Sequence, residues 1–169
     1  MVVLTTAYVL HVLSAALWTG GTLYVAYAVL PAASAGRLGA DLFAEQLHRL
    51  LLVTRWTGLV LPVTGGYLIW VRYWPAELLL ETPRGWAILT MLGLWGVMNT
   101  LVETGVLQAR RAIDDPGFGT YMQEGFPAEL VPESVDTSVL LGRVRPYLLA
   151  SVACAVLLLV DAALIASGI

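Results

Sequence analysis

The chain has 169 residues, of which 59% are hydrophobic and only 12% are charged, and its formal net charge is −3. Soluble domains carry about 25% charged residues, so this composition excludes an ordinary soluble domain and predicts a membrane protein. No basic segment interleaved with aromatic residues occurs, which excludes nucleic acid as an expected partner. Cys154 is the only cysteine, so the sequence offers neither a disulfide framework nor a cysteine metal cluster.

The first hydrophobic segment, residues 5–30, contains no Asp, Glu, Lys or Arg. It is longer than the ~20 apolar residues that cross a hydrocarbon core as a helix, and it lacks the charged start of a signal peptide, so we expect a retained span. His11 is its only side chain that ionises near neutral pH, and Ser14, Trp18 and Thr22 share its helical face. Because burying an ionisable group in lipid is costly, His11 marks a candidate functional site.

Three further apolar segments follow, at about residues 50–74, 86–108 and 146–167. The sequence therefore predicts an all-α membrane protein, a single domain over residues 1–169 that forms an antiparallel bundle of four transmembrane helices. A short loop is expected after Pro31. The polar region 110–145 is expected to be a solvated connection, in which Asp136 is placed to cap the last helix.

The arginines predict the orientation of the bundle. Six of them lie in or beside the first and third loops, whereas the second loop has two, Arg72 and Arg84. The six are Arg37, Arg49, Arg110, Arg111, Arg143 and Arg145. Because cytoplasmic loops are enriched in basic residues, we expect a multi-pass protein of the plasma membrane with both termini extracytoplasmic.

Counting depth along the helices predicts two intramembrane pairs. At 1.5 Å per residue, His11 and Asp161 each lie roughly 10 Å below the outer ends of their spans. Arg55 and Glu103 share the inner layer, and Asn99 lies one turn from Glu103 as an expected interhelical hydrogen-bonding residue. We predict that His11 pairs with Asp161 and Arg55 with Glu103, because isolated polar groups are costly in a membrane.

The first span also has a specific residue spacing. His11 is followed by Trp18, Gly20, Gly21 and Tyr24, and Pro31 stands twenty residues after the histidine. This pattern resembles the opening helix of the copper resistance protein D (CopD) family of membrane proteins. It is also similar to the first helix of HemJ-type protoporphyrinogen oxidases, which bind haem b.

The resemblance implies that His11 is a haem or metal ligand, with haem b or copper as the cofactor. A carboxylate on the second ring nitrogen is the usual outer partner of a ligating histidine, so Asp161 suits this role or that of a second metal ligand. Ser14 and Trp18 would complete the cofactor site. The alternative is a structural His11 that is hydrogen-bonded to Asp161 or Ser14.

Three functions therefore remain open. The first is a CopD-like protein that binds haem or a transition metal at an outer-leaflet polar site and serves transport or redox handling. The second is a noncatalytic membrane subunit or scaffold whose polar pairs only fix helix packing. The third is a HemJ-like oxidase of haem biosynthesis, although the lysine of that family near the start of the third helix is missing, with Thr90 near its position. The expected partners are the lipid bilayer, haem or a metal ion, and further subunits of a homo-oligomer or larger membrane complex.

Overall fold

A computed structural model of the chain describes residues 1–75 and 77–168, which are helical without any strand. Four long helices dominate: α1 (Val2–Tyr24), α3 (Ala40–Arg72), α5 (Pro83–Arg110) and α7 (Thr137–Ser167). Three short helices join them: α2 (Leu30–Ser34), α4 (Glu77–Glu81) and α6 (Phe118–Glu124). A π-helical segment, Val25–Val29, makes α1 and α2 one continuous rod, and a 3₁₀ turn spans Ala128–Leu130.

Three helical segments in the described residues are long and apolar enough to cross a membrane: Val2–Ser34, Pro83–Arg110 and Thr137–Ser167. The second long helix, α3, is not among them although it has 33 residues. Its apolar character is diluted by Arg55 and Pro62, and by several threonines and glycines. The prediction of an all-helical protein is thus confirmed, and three of its helices are candidates for membrane spans.

The first helical rod extends past the proline at which a loop was expected. Pro31 stands in the first turn of α2, and the rod ends at Ser34. Proline has no N–H group to complete the helical ladder, and the wider π-helical turn directly before it absorbs this defect without breaking the rod. The chain then turns at Gly36, whose φ of 66° is a left-handed conformation that favours glycine.

The long helices pack mainly as two pairs, α1 with α3 and α5 with α7. Smaller contacts between α1 and α7 and between α3 and α5 join the two pairs. We call the end at which α1 begins and α7 ends the outer end, and the opposite end the inner end. A large buried cluster at the inner end includes Leu47, Val106 and Leu148, and a smaller one halfway along includes Trp18 and Met98.

The polar connection between α5 and α7 is folded onto the inner end of the bundle. Tyr121 of α6 and Phe126 are fully buried in the large cluster, and Arg110 is buried beneath the connection with its guanidinium on Glu124 Oε2 at 2.8 Å. The expectation of a solvated connection therefore holds only in part: Tyr121 and Phe126 insert among the helix ends, whereas Phe118 is 73% exposed. The predicted cap of α7 is confirmed, since Asp136 accepts a 2.7 Å hydrogen bond from Ser138 N.

Candidate functional site

The His11 side chain lies against α3. Its Nδ1 is 2.9 Å from Thr64 Oγ1, and that hydroxyl is 2.7 Å from the carbonyl oxygen of Val60, one turn back in the same helix. Because the hydroxyl has a single proton and gives it to Val60, the threonine oxygen accepts from His11 Nδ1–H. From this network we assign the tautomer in which the neutral imidazole carries its proton on Nδ1 and its lone pair on Nε2.

A glycine permits this close approach of the imidazole to α3. A Cβ atom on Gly65 would lie 3.1 Å from His11 Cε1, which is tighter than ordinary van der Waals contact. The adjacent Gly66 has no heavy atom within 4 Å of such a position. The close approach of the ring to α3 therefore depends on the missing side chain of Gly65.

We expect Gly65→Ala to displace the imidazole of His11 while leaving the histidine in the chain. The new methyl group must push Cε1 outward and lengthen the hydrogen bond to Thr64, so any ligand held by Nε2 should bind several-fold more weakly. Gly66→Ala is the matched control, since its methyl group meets open space. Titration of both purified variants with haem measures the effect, and equal affinities would contradict it.

Asp161 is buried on α7, with only 8% of its surface exposed, but it does not reach His11. Its Oδ2 atom has no hydrogen-bond partner among residues 1–75 and 77–168, and no hydrogen bond or ion pair joins it to the imidazole there. The predicted direct pair is therefore wrong. Thr64 takes the place of Asp161 because α1 packs chiefly on α3, whereas α7 packs chiefly on α5.

The other predicted members of the outer site lie on the inward side of α1. Ser14 is buried, and Trp18 is 1% exposed, packed with Leu61, Met98 and Leu158 of the neighbouring helices. The indole of Trp18 also lies beside that of Trp95 on α5, with ring centroids 6.4 Å apart and planes inclined at 47°. Trp18 therefore belongs to the middle of the bundle, about two turns below His11.

The predicted inner pair is present. Arg55 Nε is 2.8 Å from Glu103 Oε1, and Nη2 is 3.0 Å from Oε2, so the guanidinium and the carboxylate meet through two parallel hydrogen bonds. Both side chains are about one-fifth exposed, at 20% and 21%. Arg55 also donates to the carbonyl oxygen of Met122 at 2.8 Å and lies 5.1 Å from the ring centroid of Tyr121. The pair therefore joins α3, α5 and the connection that follows.

Tyr121 completes this network. Its hydroxyl donates to the backbone oxygen of Glu103 at 3.0 Å. Burial, reinforced by the nearby Glu103 carboxylate, raises the pKa of Tyr121 far above its usual range, so the phenol keeps the proton that this bond requires. Asn99, in contrast, lacks the predicted interhelical hydrogen bond through Oδ1, which has no partner among the described residues.

The donor set does not form a metal site of the usual kind. Within residues 1–75 and 77–168, no group of three or more His, Cys, Asp or Glu side chains is placed to hold a metal ion. His48, the second histidine, is at the inner end and accepts a hydrogen bond from Phe126 N at 3.2 Å. His11 therefore stands alone as a nitrogen ligand in the outer half.

Thr64 is the residue of this site that sequence reasoning did not assign to it. Its signal was weak, because a threonine carries no charge and commonly bonds the backbone of its own helix. The useful clue was a hydroxyl beside two consecutive glycines within a span. No protein-family model, curated protein or solved structure matches this chain. These comparisons therefore give no support to the CopD-like resemblance expected from the sequence.

Proposed function

We propose that α1, α3, α5 and α7 all cross the bilayer, antiparallel to their neighbours, with both termini on the extracytoplasmic side of the plasma membrane. The outward face of α3 supports counting this helix among the membrane spans. Trp56, Leu59, Val63 and Trp70 are all exposed and recur at spacings of three, four and seven residues, which places them on one side of the helix. An apolar stripe of this length is suited to lipid rather than to water.

We further propose that His11 is the axial ligand of a haem in a CopD-like membrane protein that serves redox handling or transport. The carrying observation is the contact with Thr64: a hydroxyl that donates to Val60 O lies 2.9 Å from His11 Nδ1, and the tautomer that we assign from it puts the lone pair on Nε2. A ligating histidine ordinarily has its other ring nitrogen held in this manner. A haem iron receives four nitrogens from its own macrocycle, so a single imidazole suffices.

A bare transition-metal ion fits the same residues less well. Zinc and copper sites in proteins commonly use three or four side-chain ligands, whereas the outer half offers the lone His11 imidazole. Asp161 remains available as a carboxylate acceptor in this half, without a direct bond to the histidine.

The test is an absorption spectrum of the purified protein after expression with a haem precursor. We expect a Soret band in the wild type and its loss in His11→Ala, because the iron loses its protein ligand. His48→Ala is the matched control, since the second histidine is engaged at the opposite end of the bundle. A Soret band that persists in His11→Ala would overturn the assignment of the ligand.

Metal analysis of the same samples separates the remaining alternatives. Colourless protein that contains stoichiometric copper would show that the bound cofactor is a metal ion rather than haem. Protein that lacks both cofactors but unfolds readily when Arg55 or Glu103 is changed would favour the noncatalytic scaffold, whose supporting observation is the network across the inner end. Either result contradicts haem ligation by His11.

A further inference from the structure

Four polar atoms inside the bundle lack a partner among residues 1–75 and 77–168. They are Trp18 Nε1, Trp95 Nε1, Asn99 Oδ1 and Asp161 Oδ2, and each is shielded from the outside. Buried polar groups in native proteins are almost always hydrogen-bonded, because leaving them unpaired costs free energy. Four such atoms in one bundle require a common explanation.

These atoms come from three helices, with Trp18, Trp95 and Asn99 near the middle of the bundle and Asp161 nearer the outer end. The rings of Trp18 on α1 and Trp95 on α5 lie side by side with centroids 6.4 Å apart, and Asn99 follows Trp95 by one helical turn. Asp161 lies one turn from Leu158 on α7, which packs in the same cluster as Trp18. On the α3 side, a Cβ on Gly58 would be 3.3 Å from Asn99 Oδ1, so the amide oxygen faces that helix.

The chemistry of the four atoms limits what can satisfy them. The two indole groups can only donate, whereas the amide oxygen of Asn99 can only accept and the carboxyl oxygen of Asp161 accepts when ionised. A small neutral molecule that both accepts and donates hydrogen bonds can satisfy every one of these atoms.

We propose that bound water molecules occupy the interior between α1, α3, α5 and α7, accepting from the indoles of Trp18 and Trp95 and donating to Asn99 and Asp161. Water is the smallest molecule with both capacities, and buried waters typically make about three hydrogen bonds to such groups. The proposal is independent of haem ligation by His11. It makes the interior of the bundle hydrated at these four atoms.

Nuclear magnetic resonance of the wild-type protein in nanodiscs, labelled with ¹⁵N at the indole nitrogens, tests this directly. We expect the Nε1 protons of Trp18 and Trp95 to show cross-relaxation with water and shifts typical of hydrogen-bonded indoles. Trp86 gives the bonded reference, since its Nε1 donates to Leu80 O at 2.9 Å. Trp18→Phe and Trp95→Phe assign the two signals.

The absence of a water contact at either indole would overturn the proposal, as would cross-relaxation with lipid in its place. Thermal unfolding of Asn99→Leu provides a second criterion. If Asn99 Oδ1 binds water, the apolar replacement should leave the melting temperature unchanged or lower it. If this oxygen is dry and unpaired, the replacement should raise the melting temperature, which also contradicts the proposal. Thr100→Val, at the next and exposed position of α5, controls for the general effect of added apolar surface.

Discussion

Replacement of the guanidinium in Arg55→Ala should lower the free energy of unfolding by about 3 kcal/mol, the low end of the cost of breaking a buried ion pair. The substitution removes both bonds to Glu103 and the bond to Met122, and leaves a carboxylate that is four-fifths buried without its counter-charge. Unfolding by denaturant in mild detergent measures the change.

Arg49→Ala is the matched control for this prediction. Arg49 pairs with Glu45 at 2.7 Å on the same helix, but the two side chains are 68% and 32% exposed. Such a pair contributes at most about 0.5 kcal/mol, so Arg49→Ala should be nearly neutral. The double variant Arg55→Met with Glu103→Met should recover much of the lost stability, because it removes both charges together. Equal effects of Arg55→Ala and Arg49→Ala would contradict a structural role for the inner pair.

Gly105→Ala should destabilise the packing of α5 against α7 by about 2 kcal/mol, as overpacking of a close helix contact typically does. A Cβ at this position would lie 2.7 Å from Tyr147 Cβ and 3.3 Å from Val144 Cγ2, so the two helices must separate. This expected loss of stability is opposite to the effect of helix propensity alone, by which Gly→Ala stabilises a helix by about 1 kcal/mol. The thermal unfolding midpoint reports the difference.

Two further variants distinguish the clash from other effects. Gly93→Ala on the same helix meets no heavy atom within 4 Å and should be neutral or mildly stabilising. Truncating the ring in Tyr147→Ala should not rescue Gly105→Ala, because the obstacle is the Cβ itself, whereas Tyr147→Gly should rescue it. A stabilised Gly105→Ala protein would show that α5 and α7 do not approach each other closely at this point.

The long apolar segments and the pairing of Arg55 with Glu103 followed from the sequence, because depth along a helix is simple arithmetic and each charge needs a counter-charge. The same arithmetic placed His11 and Asp161 in one layer but could not tell which helices are neighbours. In the structure α1 packs on α3, so Thr64 meets the imidazole. A search for charged residues along the sequence does not reveal a neutral hydroxyl such as that of Thr64.

The folding of the connection between α5 and α7 was also beyond the sequence. Its composition is polar, and Tyr121 and Phe126 are isolated among glycines, prolines and acidic residues. Their burial depends on a cleft that exists only once the helix ends have met. Arg110 was expected to mark topology, yet it is 2% exposed and bonded to Gly125 O and Glu124.

The partners of Arg55 arrive late during synthesis of the chain. Glu103 follows it by 48 residues and Met122 by 67, so in the proposed four-span arrangement α3 leaves the translocon before its positive charge has a counter-ion. Because α3 is less apolar than the three candidate spans, we expect it to insert only weakly by itself. Nascent chains that stop before Glu103 should therefore leave α3 only loosely inserted, and its stable residence in the membrane should begin when α5 follows.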